Sequence, residues 1–136
     1  HAIRVDRSHA DAWNLAGRVA LARSEWQIAE AALRHALELE PTNAMMHNNI
    51  GLLYVRAKRG SEAVDALETS VALYDGDAPH FVLNNLGLAY ELTGDLEEAR
   101  DAFESAIAVR PLYSTARVNL ERVVRKLERT SRRLDG

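Results

Sequence analysis

A glycine returns three times along this chain, and a whole pattern travels with it. Gly17, Gly51 and Gly87 are 34 and 36 residues apart, and Ala29, Ala63 and Ala99 repeat the same two spacings. Each glycine has similar neighbours: Trp13-Asn14-Leu15-Ala16 before the first, Asn48-Asn49-Ile50 before the second, Asn84-Asn85-Leu86 before the third. Leu33, Ala36 and Pro41 close the first copy, Leu67 and Ser70 the second, Phe103, Ala106 and Pro111 the third. A period of this size marks an array of small units, each burying its apolar face by stacking on the next. Glycine inside a helix costs about 1 kcal/mol relative to alanine. Three at repeat spacing therefore argue for close approach of two backbones, with the glycines facing Ala29, Ala63 and Ala99. Trp13, Tyr54, Tyr90 and Phe103 are expected to fill the space between helix pairs.

Apolar residues at three-and-four spacing place helix pairs at 10–23 and 26–39, 44–57 and 60–73, and 78–92 and 95–108. Ser8, Ser61, Asp77 and Asp95 stand where helix N-caps are expected, and Gly94 suits a helix C-terminus. Lys58-Arg59-Gly60-Ser61 forms a turn whose glycine comes two places later than in the third copy. The segment 74–79 carries the two extra residues of the longer interval. Its carboxylates lack the alternating series of a calcium loop. After Pro111, Ser114 opens a last long helix. Val118, Val123, Leu127 and Leu134 lie on one side with Leu120 and Val124 beside them, and arginines lie on the other, expected to pair with Glu121 and Glu128 or, as the alternative, to meet an acidic partner, membrane surface or nucleic acid.

The third copy, with Leu86, Gly87, Tyr90, Ala99, Phe103, Ala106 and Pro111, resembles the tetratricopeptide repeat, whose signature is W-x2-L-G-x2-Y, A-x3-F, P. The resemblance covers residues 10–113. It implies an all-α, right-handed α-superhelix of antiparallel helix pairs, an α-solenoid. The organisation expected is the tail of a preceding repeat at 1–9, repeats at 10–43, 44–79 and 80–113, and a C-terminal capping helix with a basic tail at 114–136. The family also implies a concave groove, lined by the first helix of each pair, that binds proteins or peptides and performs no catalysis. Here the groove positions are Asn14, Arg18, Met45, Asn48, Asn49, Leu52, Val55, Arg56, Phe81, Asn84, Asn85, Leu88, Asn119 and Arg122. The asparagines offer donors and acceptors. They either pair with the backbone of an extended peptide or solvate the groove and bond locally. The apolar groove residues either meet a partner's side chains or are covered by neighbouring helices. Chaperone-binding members hold a C-terminal carboxylate with Lys, Asn and Arg. The corresponding places here are Asn14, Arg18, Asn49, Phe81 and Asn85, and only Asn49 fits.

Composition narrows the remaining classes. Cysteine is absent, which excludes disulfides and thiolate chemistry. His1, His9, His35, His47 and His80 are scattered without metal-ligand spacing, and the common catalytic and phosphate-loop motifs are missing. No cofactor, metal or membrane span is expected. Charge is uneven: residues 117–136 hold 7 Lys/Arg and 3 Asp/Glu, while the preceding residues are acidic. An acidic body of this kind is not expected to take nucleic acid on its folded face. His1 in place of methionine reads as a piece of something longer, so compartment stays open, with the cytoplasm slightly favoured over an envelope setting. Apolar residues at the first edge, such as Ile3 and Val5, suit self-association. The leading alternative to groove binding is a structural spacer with no groove ligand.

Overall fold

A computed structural model describes the backbone of residues 2–135 and the side chains of residues 8–135. Among the described residues there are seven α-helices: α1 (Ala2–Ala22), α2 (Trp26–Leu39), α3 (Ala44–Arg56), α4 (Gly60–Leu73), α5 (His80–Thr93), α6 (Leu96–Val109) and α7 (Ser114–Asp135). Each helix packs on the next in the chain, and α1, α3, α5 and α7 also touch one another in succession. The even-numbered helices make no such contacts. The odd helices therefore line the inner side of an α-solenoid, and the even helices form its outer layer.

The repeat glycine sets the distance within each pair. A Cβ at Gly17 or Gly51 would stand 2.5 Å from Cγ of Leu33 or Leu67, and one at Gly87 would stand 2.5 Å from Cε1 of Phe103. The partner is thus the large residue one turn beyond the expected alanine; Ala29 reaches Gly17 only through its carbonyl oxygen, 3.4 Å away. Leu33, Leu67 and Phe103 are completely buried in these notches, each worth roughly 1.5–3 kcal/mol in removed apolar surface. Ser70 stands where the first and third copies have Ala36 and Ala106, and its hydroxyl donates to the Ala44 carbonyl at 2.7 Å, so the substitution leaves no unpaired buried group. Tyr54 is buried as expected and Tyr90 is partly buried, whereas Phe103 fills the notch of its own pair. Trp13 is not buried: it is 43% exposed and lies edge-on to His35, with ring centroids 4.6 Å apart.

The turns correct several expected caps. α1 runs unbroken through Ser8, because Arg7 stands at the register of Pro41 and Pro111 and nothing there interrupts the hydrogen-bond ladder. The side chains of Ile3 and Val5, and residue His1, lie outside the described residues. Ser24, Lys58 and Gly94 hold the same place in the three within-pair turns and share a left-handed backbone, with φ of 59°, 63° and 82°. The second turn is therefore in register, and Gly60 has another task. It opens α4 against α5, where an added Cβ would stand 3.0 Å from Thr93 Cγ2. Arg59, not Ser61, occupies the N-cap place of α4. Pro79 does so for α5, since the residue before a proline is kept out of the helical region and Asp77 is left outside. Asp95 is at its N-cap, but its carboxylate accepts from Thr93 Oγ1 at 2.6 Å rather than from its own helix. The side-chain cap of α3 is Asn43, which accepts from the Met46 amide at 3.1 Å.

α7 closes the end of α6. Val123 is buried with Ala99 and Phe103, and Leu120 and Leu127 pack beside them. Val118 and Leu134, expected on the same apolar side, are 59% and 84% exposed.

Candidate functional site

The inner faces of α1, α3 and α5, with the start of α7, enclose a groove of about 650 Å³. Helical spacing brings Arg18 from α1 together with Met45, Asn48, Asn49, Leu52, Val55 and Arg56 from α3 and Phe81, Asn84, Asn85 and Leu88 from α5. Leu21, Ala22, Tyr113 and Thr115 line it as well. Thr115 lies 34 residues after Phe81, so its place was readable from the register. Tyr113 comes from the loop before α7, to which no helical period applies.

The asparagines occupy the floor and bond to one another in pairs. Asn49 Nδ2 donates to Asn14 Oδ1 at 2.9 Å, Asn85 to Asn48 at 3.0 Å, and Asn119 to Asn84 at 2.9 Å. In each pair the second asparagine of one inner helix donates to the first asparagine of the inner helix before it. Asn48, Asn49, Asn84, Asn85 and Asn119 are all buried. Of the two functions read for this column, the pairing favours the local one. Such bonds are strongest away from water and leave a costly orphan if one partner is lost. Asn14 and Asn119 lie at the two ends of the column and outside the lining of the main groove.

What faces the opening is mainly apolar. Met45 is 39% exposed, and Leu52, Phe81 and Leu88 are half-buried. Phe81 is steadied by His80, edge-on at 5.5 Å, which in turn meets Tyr113 at 4.6 Å. Arg18 and Arg56 stand exposed at the margin. Neither has an ion-pair partner among the described residues.

Arg122 belongs to a second, smaller cleft that shares Val55 and Leu88 with the groove and adds Lys58, Glu91, Leu92 and Lys126. Its guanidinium grips Glu91 with both oxygens, at 2.6 and 2.7 Å, and Lys126 reaches the same carboxylate at 2.6 Å. Burial of Glu91 opposes its charge, but the hydrogen bonds from Arg122 and Lys126 outweigh it and hold its pKa below the usual carboxylate range. Two cations of α7, Arg122 and Lys126, thus pair with α5. They do not pair with Glu121 and Glu128 as expected; Arg125 reaches only the Glu121 backbone carbonyl, at 3.4 Å.

Among the described residues no three His, Asp or Glu side chains gather as a metal would require, and no helix is long and apolar enough to cross a membrane.

Solved structures of similar shape include the first TPR domain of human RPAP3, with a TM-score of 0.85 at 19% identity over 93% of this chain and 98% of that one. The second TPR domain of human RPAP3, in complex with the HSP70 peptide SGPTIEEVD, superposes at 0.74 with 17% identity over 84% and 97%. A Thermobaculum terrenum O-GlcNAc transferase mutant superposes at 0.79 with 25% identity over 88% of this chain and 22% of that one. No curated protein matches. A family model, the tetratricopeptide repeat, matches residues 42–112. More than half of the chain is thereby covered, and the chain belongs to the tetratricopeptide repeat family.

Proposed function

We propose that this chain is a non-enzymatic interaction module that seats a segment of a partner protein, extended or helical, in its concave groove. One observation carries the reading: Met45, Leu52, Phe81 and Leu88 face solvent together in a concavity over a floor of paired asparagines. Apolar groups gathered in a groove favour a partner that brings apolar side chains. The asparagine floor supports shape first, because in each pair one amide is tied to the carbonyl of its neighbour. The RPAP3 domain bound to an HSP70 peptide is an instance of the fold holding a peptide. The chaperone-tail clamp is not carried over: its one matching residue, Asn49, donates to Asn14.

Selection from an unbiased peptide display library tests the reading. Peptides with apolar residues are expected, and Met45→Ala combined with Phe81→Ala should abolish their recovery while leaving the helical melt in place. Binders indifferent to both changes would refute the groove.

A second reading has its own support. Val19 is 45% exposed, whereas Leu53 and Ala89 at the same register are completely buried beneath the preceding pair. Leu15 and Ile28 beside it are 58% and 60% exposed. This edge is apolar enough to join another repeat or a second copy, which is the spacer or self-association role. Leu15→Glu with Ile28→Glu should then lower the sedimenting mass of the chain, and an unchanged profile would count against it.

A further inference from the structure

The two clefts of the concave face share Val55 and Leu88, and their ionised side chains are of nearly one sign. Arg18, Arg56, Lys58, Arg122 and Lys126 line them against a single carboxylate, Glu91. The chain as a whole carries a formal charge of −3, so apart from the basic outer face of α7 the cations of the groove stand on an acidic body. Glu91 is held ionised by two of these cations, and Arg18, Arg56 and Lys58 have no ion-pair partner among the described residues. A concavity with low-dielectric walls concentrates such a field and raises the local concentration of the opposite charge.

Resting on the groove reading above, we infer that the occupant is an acidic segment of a partner protein, internal to its chain, bearing apolar residues. The apolar side chains seat on Met45, Leu52, Phe81 and Leu88. Aspartate or glutamate side chains meet Arg56 and Lys58 on one side and Arg18 on the other. Charge complementarity picks the segment, and apolar contact holds it. A polyanion such as single-stranded nucleic acid shares the charge but not the fit. The floor is paired asparagine and aliphatic side chains, Phe81 is already packed on His80, and the acidic body repels a long polyanion. Of the places that would clamp a terminal carboxylate only Asn49 matches, and its amide donates to Asn14, so recognition falls on side-chain carboxylates and not on a chain terminus.

The test uses the full chain and the display library, with every peptide amidated at its C-terminus. The expected enrichment is for peptides of net negative charge. Their affinity should fall at least roughly tenfold on Arg56→Glu with Lys58→Glu, and fall again between about 50 and about 300 mM salt. The outward Arg100→Glu should leave affinity unchanged. Recovered peptides that are neutral or basic, lost in the Met45→Ala and Phe81→Ala variant yet indifferent to charge reversal, overturn this inference and leave the groove reading standing. Peptides indifferent to both sets of changes overturn the two together. Tighter binding by a single-stranded oligonucleotide than by any recovered peptide overturns the choice of partner.

Discussion

The first and second junctions between helix pairs occupy the same positions and carry opposite chemistry. At the first, Glu30 takes Arg59 at 2.7 Å and Arg34 at 3.5 Å, Arg34 donates to the Tyr54 hydroxyl at 3.0 Å, and Arg59 lies over the Tyr54 ring at 4.6 Å. At the second, the matching places hold Val64, Glu68, Tyr90 and Asp95. Burial first, then the carboxylates of Glu68, Glu98 and Asp95, push the Tyr90 phenol up to about 12. Among the described residues the ion pairs of the first junction have no counterpart at Glu68 and Asp95, where a neutral phenol stands among carboxylates, yet the two pairs still stack. What the junctions share is the asparagine pair on the inner side and the glycine notch within each pair. These determine the geometry, and the charges on the outer layer are free to vary.

The notch is the place to break this most severely. Gly87→Ala drives a methyl into the rigid ring of Phe103 and should cost about 1–3 kcal/mol, even after the gain in helix propensity, read as a lower melting temperature. A change near zero would mean that the notch is not set by contact. Next comes the shared polar pair. Asn48→Leu strands the buried Asn85 amide and should cost about 1–3 kcal/mol. Adding Asn85→Leu should recover part of that loss, and strict additivity in the double-mutant cycle would show that the pair is not coupled.

The third junction sharpens the comparison through pH. Glu91 has a folded pKa below its unfolded value of 4.5. It therefore contributes stability that is present above that value and lost as pH falls through the folded pKa. Glu91→Gln should remove about 1 kcal/mol near neutrality and flatten the acid limb of the stability curve. An acid limb identical to the parent would place the pH dependence elsewhere. The smallest effect is the most direct exchange. Glu68→Arg imports the first junction's cation beside Tyr90 and Asp95 and should add about 0.5 kcal/mol, with the phenol titrating at lower pH in ultraviolet absorbance. No movement of that titration would separate Glu68 from Tyr90.

Periodicity carried most of the fold. The three glycines and their alanines placed six helices to within about two residues at nearly every end, because apolar spacing is a property of the helix itself. The caps were less legible. Ser61 and Asp77 are good capping types, but the helix begins where backbone geometry allows, and Pro79 and the left-handed Lys58 decide that. At the site, the groove residues followed from register, as Met45 and Phe81 show. The destiny of the asparagines did not. Whether Asn85 turns to a ligand or to Asn48 depends on a distance across 37 residues of chain, which no local pattern encodes. Arg122 was likewise placed at the right margin but without Glu91, whose carboxylate lies on a different helix.

The asparagine pairs have a direction. A complete inner helix such as α3 or α5 offers a socket, the oxygen of its first asparagine, and a plug, the amide of its second. α1 has the socket Asn14 with Leu15 in the plug's place, and α7 has the plug Asn119 with Val118 in the socket's place. The middle unit, with Asn48 and Asn49, carries both fittings. A second copy of residues 44–79 spliced in tandem would meet Asn48 on one side and present its own on the other. The groove would lengthen by one unit with every polar fitting filled, so its reach along a bound chain is adjustable in whole steps.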